Sequence, residues 1–418
     1  MKIVGINSSH DTSLCQYDTE TKNLDFMHEE DRFRRHKYWS PSHVPMIDGK
    51  PDPKYHPDTL TSIYKGGVEV PDKLVFASFD RRSQNIELDN DALLKDRALS
   101  IEIAKYIAEE PFNNVRMNAF QDKYQDVIVG SGAGGVLEES QIHDSFANQF
   151  QGLDSYYFWY EHHLYHAYCG YHLSPYIANE EDCIAIVWDG GGARLGWDRG
   201  WDGYQEIESI YRMEHGQQAK RQWVLSSNHR FLGDLKGEHF PNQMDGELDY
   251  DGENIVETID GVDYEYTSRA SNGMDFSNMS HALGCDDFGR AAGKVMGMAS
   301  YGVVGTPEQR RFNKFALAQE LELHAFEHSC KTIQKAIDLN PDCKNILLSG
   351  GYSLNCTNNY KYLSRFPEHQ FYIDPIPHDG GTAFGACIHL DYLLENEETN
   401  EPTNTNENGE SDDTNGNT

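Results

Sequence analysis

Long apolar runs are missing from this sequence of 418 residues. No stretch approaches the ~20 consecutive apolar residues that a membrane-spanning helix needs. The first residues, Met1 to Ile6, lack the charged start, extended apolar core and cleavage site of a signal peptide, and they read as a β-strand. We therefore expect no membrane partner and a cytoplasmic location.

Closely spaced cysteine pairs are also absent. The eight cysteines are Cys15, Cys169, Cys183, Cys285, Cys330, Cys343, Cys356 and Cys387, and no two of them form a Cys-x-x-Cys pair. This spacing argues against a zinc ribbon and against a dense disulfide framework, and it suits a reducing compartment. Most of these cysteines are expected to be small core residues.

Basic residues are scarce. The chain has 35 lysines and arginines against 68 acidic residues, a net charge of −33, so it has no overall basic footprint for nucleic acid. The Asn/Thr/Glu-rich segment 395–418 contains no basic residue and is expected to be a disordered acidic tail. Residues 1–394 keep most of the charge, and a hydrophobic content of 38% allows them a real core.

A histidine motif follows an aromatic segment in the middle of the chain. Tyr156–Tyr160 is predicted to be a strand that leads into a helix carrying His162, His163 and His166. His162 and His166 are four residues apart, so they share one helix face and could hold one metal ion. His163 lies roughly 100° around the helix and could instead face a substrate. The alternative is a pair of half-buried histidines with backbone partners.

The start of the chain has the pattern of a phosphate-binding turn. Strands are predicted at residues 2–7, 14–17 and 24–28, and the first turn between them is rich in hydroxyl groups, including Ser9 and Thr12. Backbone amides and hydroxyls of such a turn can hold phosphate. Any β-hairpin can carry serine and threonine, so this turn alone is a weak signal.

Two later segments repeat the combination of a buried strand and a glycine turn. Residues 183–188 are predicted to be a strand that ends in Asp189 and Gly190, Gly191 and Gly192. The glycines let backbone amides approach a phosphate, while the carboxylate can meet a cation or a hydroxyl. Residues 345–348 are a second such strand, followed by Gly350, Gly351 and a helix that starts near Asn355.

Two further residues could contact a charged ligand. Lys294 lies in a segment of small residues and is a candidate anion contact, and Asp379 lies on a loop just before the last helix. Segment 215–280 is polar and rich in glycine and aspartate, and it is predicted to be an insertion of hairpins and loops.

Three other segments have simpler predictions. The glycines between Gly130 and Gly135 match a dinucleotide-binding spacing, but only three apolar residues precede them and a polar helix follows, so we predict a flexible loop. Amphipathic helices are predicted at residues 90–110 and 310–339. The expected core positions of the second helix are Phe312, Phe315, Leu323, Phe326 and Ile333.

Together these patterns predict a duplicated α/β fold with two lobes, whose phosphate-binding turns face one cleft. Residues 1–394 would form this domain. The sequence resembles the O-carbamoyltransferases of nodulation-factor and antibiotic biosynthesis, relatives of the tRNA threonylcarbamoyl-transfer proteins in the actin-like ATPase superfamily. The motifs that carry the resemblance begin at His10, Glu30, His162, Gly293, Gly350 and Asp379, in the order of that family.

The resemblance implies a duplicated actin-like ATPase fold and a site for one divalent transition metal. His162, His166 and Asp379 would bind the metal, which is iron in this reading, with zinc or manganese as alternatives. ATP or carbamoyl-adenylate would lie on the glycine turns, with Asn355 near its ribose or base. Lys294 would compensate negative charge. His10 with Asp11, or His163, would position the carbamoyl group or accept a proton.

The resemblance also implies a donor and an acceptor. Carbamoyl phosphate with ATP would supply the carbamoyl group, and a sugar, an antibiotic hydroxymethyl group or hydroxymethylcytosine in viral DNA would receive it. In the last case the protein would be virus-encoded and act in the host cytoplasm. The domain that makes carbamoyl-adenylate in this family has no counterpart after residue 394, so a separate protein is expected to supply the intermediate, or carbamoyl phosphate is used directly.

Two rival interpretations remain at this level. One is threonylcarbamoyl transfer to tRNA, against which the lack of a basic surface counts. The other is a nucleotide-binding scaffold that keeps the cleft without the chemistry. The sequence leaves a monomer and a homo-oligomer open.

Overall fold

A computed structural model describes residues 1–7, 11–29, 32, 46–47, 50–51, 71–78, 134–138, 155–159, 161–195, 204–227, 255–259, 261–267, 270–285, 291–302 and 313–400. The strands are β1 (Lys2–Asn7), β2 (Ser13–Asp18), β3 (Asn23–Glu29), β4 (Met46–Ile47), β5 (Lys50–Pro51), β6 (Lys73–Ser78), β7 (Gly134–Glu138), β8 (Ser155–Trp159), β9 (Cys183–Trp188), β10 (Arg194–Leu195), β11 (Tyr204–Met213), β12 (Lys220–Ser227), β13 (Ile255–Ile259), β14 (Val262–Thr267), β15 (Asn345–Ser349) and β16 (Gln370–Ile373). The helices are α1 (His162–His172), α2 (Pro175–Ala178), α3 (Asn272–Ala282), α4 (Ala292–Ala299), α5 (Lys314–Leu339), α6 (Cys356–Arg365) and α7 (Thr382–Asn400).

The two large sheets share one topology. The first has the order β3-β2-β1-β6-β8-β7 and the second has the order β13-β14-β12-β11-β9-β15-β16. In the first, β1 is antiparallel to β2 and parallel to β6, and β6 is parallel to β8. In the second, β9 is antiparallel to β11 and parallel to β15, and β15 is parallel to β16. Each sheet therefore contains the same five-strand unit, and the chain has the duplicated actin-like ATPase fold.

The core lies on both faces of the second sheet. Every residue of β9 is buried, as expected for a strand that is covered on both sides. On one face, α1 and α7 pack between the two sheets in a cluster that includes Ile3, Tyr165, Val187 and Phe384. On the other face, α3, α4 and α5 cover Trp188, Ile346 and their neighbours.

Close contact between α1 and α7 depends on one glycine. A Cβ atom built on Gly385 would lie 1.9 Å from the carbonyl oxygen of Tyr165. Any side chain at this position would push the two helices apart. The packing of α7 matters for the site, because Asp379 lies in the short 3-10 turn that precedes this helix.

The strands that frame the predicted turns are confirmed, whereas several peripheral predictions are not. Gly134 and Gly135 belong to β7, which pairs with β8, rather than to a flexible loop. Within the segment predicted to be an insertion, β12 is an internal strand of the second sheet. Its apolar stretch, Trp223 to Leu225, is buried but short, so the polar residues around it dominate the sequence pattern.

Two helices also differ from expectation. Phe315 and Leu323 on α5 are 37% and 38% exposed, because the buried face of this helix consists largely of small residues such as Ala318 and Ala325. Helix α7 continues to Asn400, past the expected start of the tail at Glu395. Lys22 contacts Glu395 at 2.7 Å, which ties this part of the helix to the first lobe.

The helix predicted at residues 90–110 lies outside the described residues, as do residues 401–418. Among the helices of the described part, none combines the length and the apolar character that crossing a membrane requires.

Candidate functional site

Four buried side chains meet where α1 begins. His162, His166, Asp189 and Asp379 each offer one ligand atom, and these atoms lie within 4.8 Å of one another. The His162 Nε2 atom lies 3.2 Å from His166 Nε2, 3.0 Å from Asp189 Oδ2 and 3.5 Å from Asp379 Oδ1. His166 Nε2 lies 3.8 Å from the same oxygen of Asp379. The three predicted metal ligands are therefore neighbours, and Asp189 joins them.

Three elements position these four residues. The histidines share a face of α1 because they are four residues apart. Asp189 follows β9, and Asp379 is in the 3-10 turn before α7, where Thr382 Oγ1 donates to its carbonyl oxygen at 2.6 Å. The cluster thus depends on how α1 packs against both β9 and α7.

The charges in the cluster favour a bound cation. Burial opposes protonation of His162, but the carboxylates of Asp379 and Asp189 outweigh it and raise the pKa of His162 to about 10. Burial and Asp379 oppose ionisation of Asp189, yet His162 holds the pKa of Asp189 below its usual range. Two carboxylates facing two imidazoles thus retain a proton between them. A divalent transition metal accepts this donor set and would replace that proton.

Asp189 also connects the cluster to the second glycine turn. Its Oδ2 atom faces His162, and its Oδ1 atom accepts a hydrogen bond from the Gly351 amide at 3.2 Å. Gly350 has a φ of 84°, and a Cβ atom there would lie 2.2 Å from the carbonyl oxygen of Trp188. Only glycine fits at this position, so the turn can approach the end of β9 closely.

The glycine turn after Asp189 is enclosed by residues that sequence analysis missed. Ser271 Oγ donates to the carbonyl oxygen of Gly190 at 3.1 Å, and Gly273 at the start of α3 lies directly against Gly190. Amides at a helix start attract phosphate. The sequence signal was the run Ser271-Asn272-Gly273 after a strand, but it fell within a segment interpreted as an insertion.

His163 lies on a different face of α1 from His162 and His166, as its position in the helix predicted. Its ring is fully buried, and its Nδ1 atom lies 2.7 Å from Ser209 Oγ and 3.8 Å from Glu206 Oε2. Its Nε2 atom has no hydrogen-bond partner in the described part of the chain. Burial lowers the pKa of His163 well below its usual value, so the ring is neutral. The ring edge packs against Gly192, where a Cβ atom would lie 2.6 Å from His163 Cδ2.

The opening turn reaches the Asp379 loop. Ser13 Oγ donates to the carbonyl oxygen of Gly380 at 2.7 Å, and Asn7 Nδ2 donates to that of Asp11 at 3.2 Å. Thr12 is buried beside them. Ser9 and His10 lie outside the described residues.

Two predicted site residues contact other parts of the protein. Lys294 is exposed on α4, and its Nζ atom donates to the carbonyl oxygen of Cys285 at 3.1 Å. Asn355 is buried; its Nδ2 atom donates to Glu322 Oε2, and its Oδ1 atom accepts from the Asn358 amide. The ligand roles of both residues stay predictions.

Comparisons with solved structures give distant likenesses. No protein-family model and no curated protein matches the chain. Full-length HypF, solved in its phosphate- and nucleotide-bound form, is 13% identical with a TM-score of 0.43, over 94% of this chain and 56% of HypF. This chain thus spans little more than half of HypF. A ROK family protein from Streptococcus pneumoniae TIGR4, solved with sucrose, is 10% identical with a TM-score of 0.39, over 95% of this chain and 100% of that protein. At these identities and TM-scores, the likenesses assign no function to this chain.

Proposed function

We propose that this protein is a metal-dependent O-carbamoyltransferase. It would move a carbamoyl group from carbamoyl phosphate, or from carbamoyl-adenylate made from it with ATP, to a hydroxyl group. One observation carries the proposal: Asp189 belongs to the four-residue cluster and also contacts the Gly351 amide. A metal and a phosphate held there would be neighbours, as a metal-assisted transfer of a phosphate-bound group requires.

His162, His166, Asp189 and Asp379 would hold the metal, for which we favour iron over zinc or manganese. When bound, the metal supplies positive charge that stabilises the departing phosphate. The Gly192 and Gly351 amides already donate to Glu206 and Asp189. The backbone of Gly190, Gly191 and Gly350 would therefore orient the nucleotide phosphates, together with Ser9 and Thr12 of the opening turn. Asn355 and Lys294 keep their predicted roles as contacts to the nucleotide and to an anion.

In the transfer, the acceptor oxygen forms a bond to the carbamoyl carbon, and the bond from that carbon to the phosphate oxygen breaks. The phosphate, or AMP from carbamoyl-adenylate, leaves with the electron pair. The acceptor hydroxyl loses its proton to a nearby base, for which His10 with Asp11 and His163 are the candidates. Donors near the carbamoyl oxygen would stabilise the charge that develops on it.

For the acceptor we favour the hydroxymethyl group of a modified pyrimidine, 5-hydroxymethylcytosine in a nucleotide or in viral DNA, over a sugar. A net charge of −33 disfavours tight duplex binding and leaves a nucleotide as the simpler substrate. A separate protein would form carbamoyl-adenylate if this chain does not.

The test is mass spectrometry of candidate acceptors incubated with the protein, carbamoyl phosphate, ATP and ferrous ion. Hydroxymethylated nucleotides, DNA and sugars are compared, with and without an added carbamoyl-adenylate-forming domain. A mass gain equal to one carbamoyl group, absent with Asp379→Asn, is the expected result. No gain with any acceptor, even with the added domain, would rule out the transferase.

A further inference from the structure

A buried arginine lies behind the site, between two carboxylates. Arg221 on β12 places Nη2 2.6 Å from Glu161 Oε2 and 3.2 Å from Glu206 Oε1. The hydroxyl of Tyr211 accepts from the same guanidinium at 2.8 Å. The side chain of Arg221 is 13% exposed and that of Glu206 is fully buried. One cation thus lies between two carboxylates that are 45 positions apart in the sequence, hydrogen-bonded to Glu161 and at ion-pair distance from Glu206.

The first carboxylate belongs to the start of the histidine helix. Glu161 directly precedes His162, and its carbonyl oxygen accepts the first helical hydrogen bond, from the Tyr165 amide at 3.0 Å. Its side chain makes no capping bond to the helix, because it is directed to Arg221 instead. The ion pair therefore fixes the residue from which α1 begins.

The second carboxylate belongs to the strand that supports the glycine turn. The backbone of Glu206 exchanges hydrogen bonds with Gly192 and Ala193, both at 2.7 Å. Its Oε2 atom also accepts from the Ala193 amide at 3.2 Å, and it lies 3.8 Å from His163 Nδ1. Glu206 thus contacts both the end of the glycine turn and the histidine that packs beneath it.

We propose that Arg221 is a positioning residue that fixes the start of α1 against the glycine turn, and thereby sets His162 relative to Asp189. This inference rests on the proposed metal centre. The Tyr211 hydroxyl accepts from both Nε and Nη2 of Arg221, at 3.1 Å and 2.8 Å, which fixes the plane of the guanidinium while Nη2 faces the carboxylates. A lysine has one nitrogen on a flexible stem and lacks this second attachment. Loss of the guanidinium would therefore let the start of α1 and the glycine turn shift.

The experiment is a titration of the metal-free full-length protein with Co²⁺, followed by the visible absorption of the bound ion. Arg221→Lys is compared with the wild type and with Arg212→Lys. Arg212 is a matched control because it also contacts two carboxylates, those of Asp182 and Asp342. We expect Arg221→Lys to weaken Co²⁺ binding about 10-fold and to change the position and intensity of the absorption bands. Arg212→Lys should give the wild-type spectrum and affinity.

A second variant protects the test from a folding failure. Glu161→Ala removes the anchor of α1 and leaves the buried Arg221 with one carboxylate partner, Glu206. It should show the same weaker binding and altered bands. If either variant folds, as judged by circular dichroism, and keeps the wild-type spectrum and affinity, the positioning role is wrong. If the wild type itself binds no Co²⁺, the metal centre and the proposed function fail instead.

Discussion

At the scale of single residues, the site is defined by which side chains point at one another. His162 and His166 face the two aspartates, while His163, one position along, faces Ser209. Helix geometry alone separates these directions, so the sequence could predict that His162 and His166, and not His163, face the same side of the helix. The fourth donor, Asp189, was expected only to meet a cation or a hydroxyl.

Replacing one imidazole should empty the metal site. We expect the purified wild-type protein to contain about one transition metal per chain, and His166→Ala to contain almost none, because three donors hold a metal less tightly than four. Elemental analysis measures this content. His324→Ala, which removes an exposed histidine of α5, should keep the metal. A metal-free wild type that still binds nucleotide would favour the scaffold over the enzyme.

Adding one methyl group should disturb the first glycine turn. In Gly192→Ala the new Cβ atom would meet His163 Cδ2 at 2.6 Å and Glu206 Oε2 at 2.9 Å, so the turn must move. We expect a fluorescent ATP analogue to bind roughly 10-fold more weakly, a loss of about 1.4 kcal/mol. Gly293→Ala is the control, since its Cβ atom would meet nothing within 4 Å. Equal affinities for the wild type and Gly192→Ala would show that the turn does not hold the nucleotide.

At the scale of elements, the site depends on the contact between α1 and α7. Gly385→Ala should reduce the free energy of unfolding by about 3 kcal/mol or more, because the new atom would overlap the carbonyl oxygen of Tyr165. Urea unfolding measures the loss. Gly297→Ala on α4, where a Cβ atom has open space, should leave stability unchanged or raise it by up to about 1 kcal/mol. An unchanged Gly385→Ala protein would mean that the helices are not in close contact.

A half-buried histidine of α7, packed against α1, should make the fold sensitive to acid. Burial lowers the pKa of His389 to about 4, and the ring stacks on Tyr168 of α1. The unfolded chain has a usual histidine pKa of about 6.5, so it binds a proton that the folded state excludes, and stability falls as the pH drops below 6.5. This one group should account for about 2 kcal/mol between pH 7.5 and 5.

The comparison of His389→Phe with the wild type isolates that contribution. The free energy of unfolding in urea, measured at the two pH values, should decline by about 2 kcal/mol less in the variant. If the free energy of unfolding declines equally in both proteins, the folded state does not keep His389 neutral. His324→Gln, at an exposed position, should follow the wild type.

The strands next to the site could be predicted from sequence. The residues that contact them from distant parts of the chain could not. The strand before the histidines, the strand before Asp189 and the strand before Gly350 stand out as short apolar runs between turn residues. Arg221 gave no such signal, because its partners lie far away in sequence and meet it only through strand pairing. Ser271 was missed because β12, a true sheet strand, has too few apolar residues to mark its surroundings as core.

At the scale of the whole molecule, the duplicated topology places the turn after β1 and the turn after β9 at equivalent positions of the two lobes. The order of the strands was not visible in the sequence, since register and pairing are long-range properties. The duplication was nevertheless predicted, because the sequence has a strand, turn and strand at its start, Asp189 with its glycines in the middle, and two glycine turns near its end.

The surplus of acidic residues should make stability depend on salt. A net charge of −33 destabilises the compact state by self-repulsion, and dissolved ions screen that repulsion. We expect the melting temperature to rise when sodium chloride is raised from about 50 mM to about 500 mM, where the Debye length becomes a few ångströms. Differential scanning calorimetry measures the shift. A falling melting temperature would indicate that attractive ion pairs, such as Lys22 with Asp391, dominate instead.

The two carboxylate oxygens of Asp189 face different parts of the site. One lies beside His162, where a metal ion would bind, and the other accepts from the Gly351 amide in the turn that would hold the nucleotide. Because both oxygens belong to one planar carboxylate, a rotation that improves the contact with the metal ion also changes the contact with the glycine turn. Thermodynamic linkage then requires reciprocity: whatever factor the ion contributes to nucleotide affinity, the nucleotide returns to ion affinity. Through the carboxylate of Asp189, the affinity for the metal ion would thus depend on whether the nucleotide is bound, and the affinity for the nucleotide on whether the metal ion is bound.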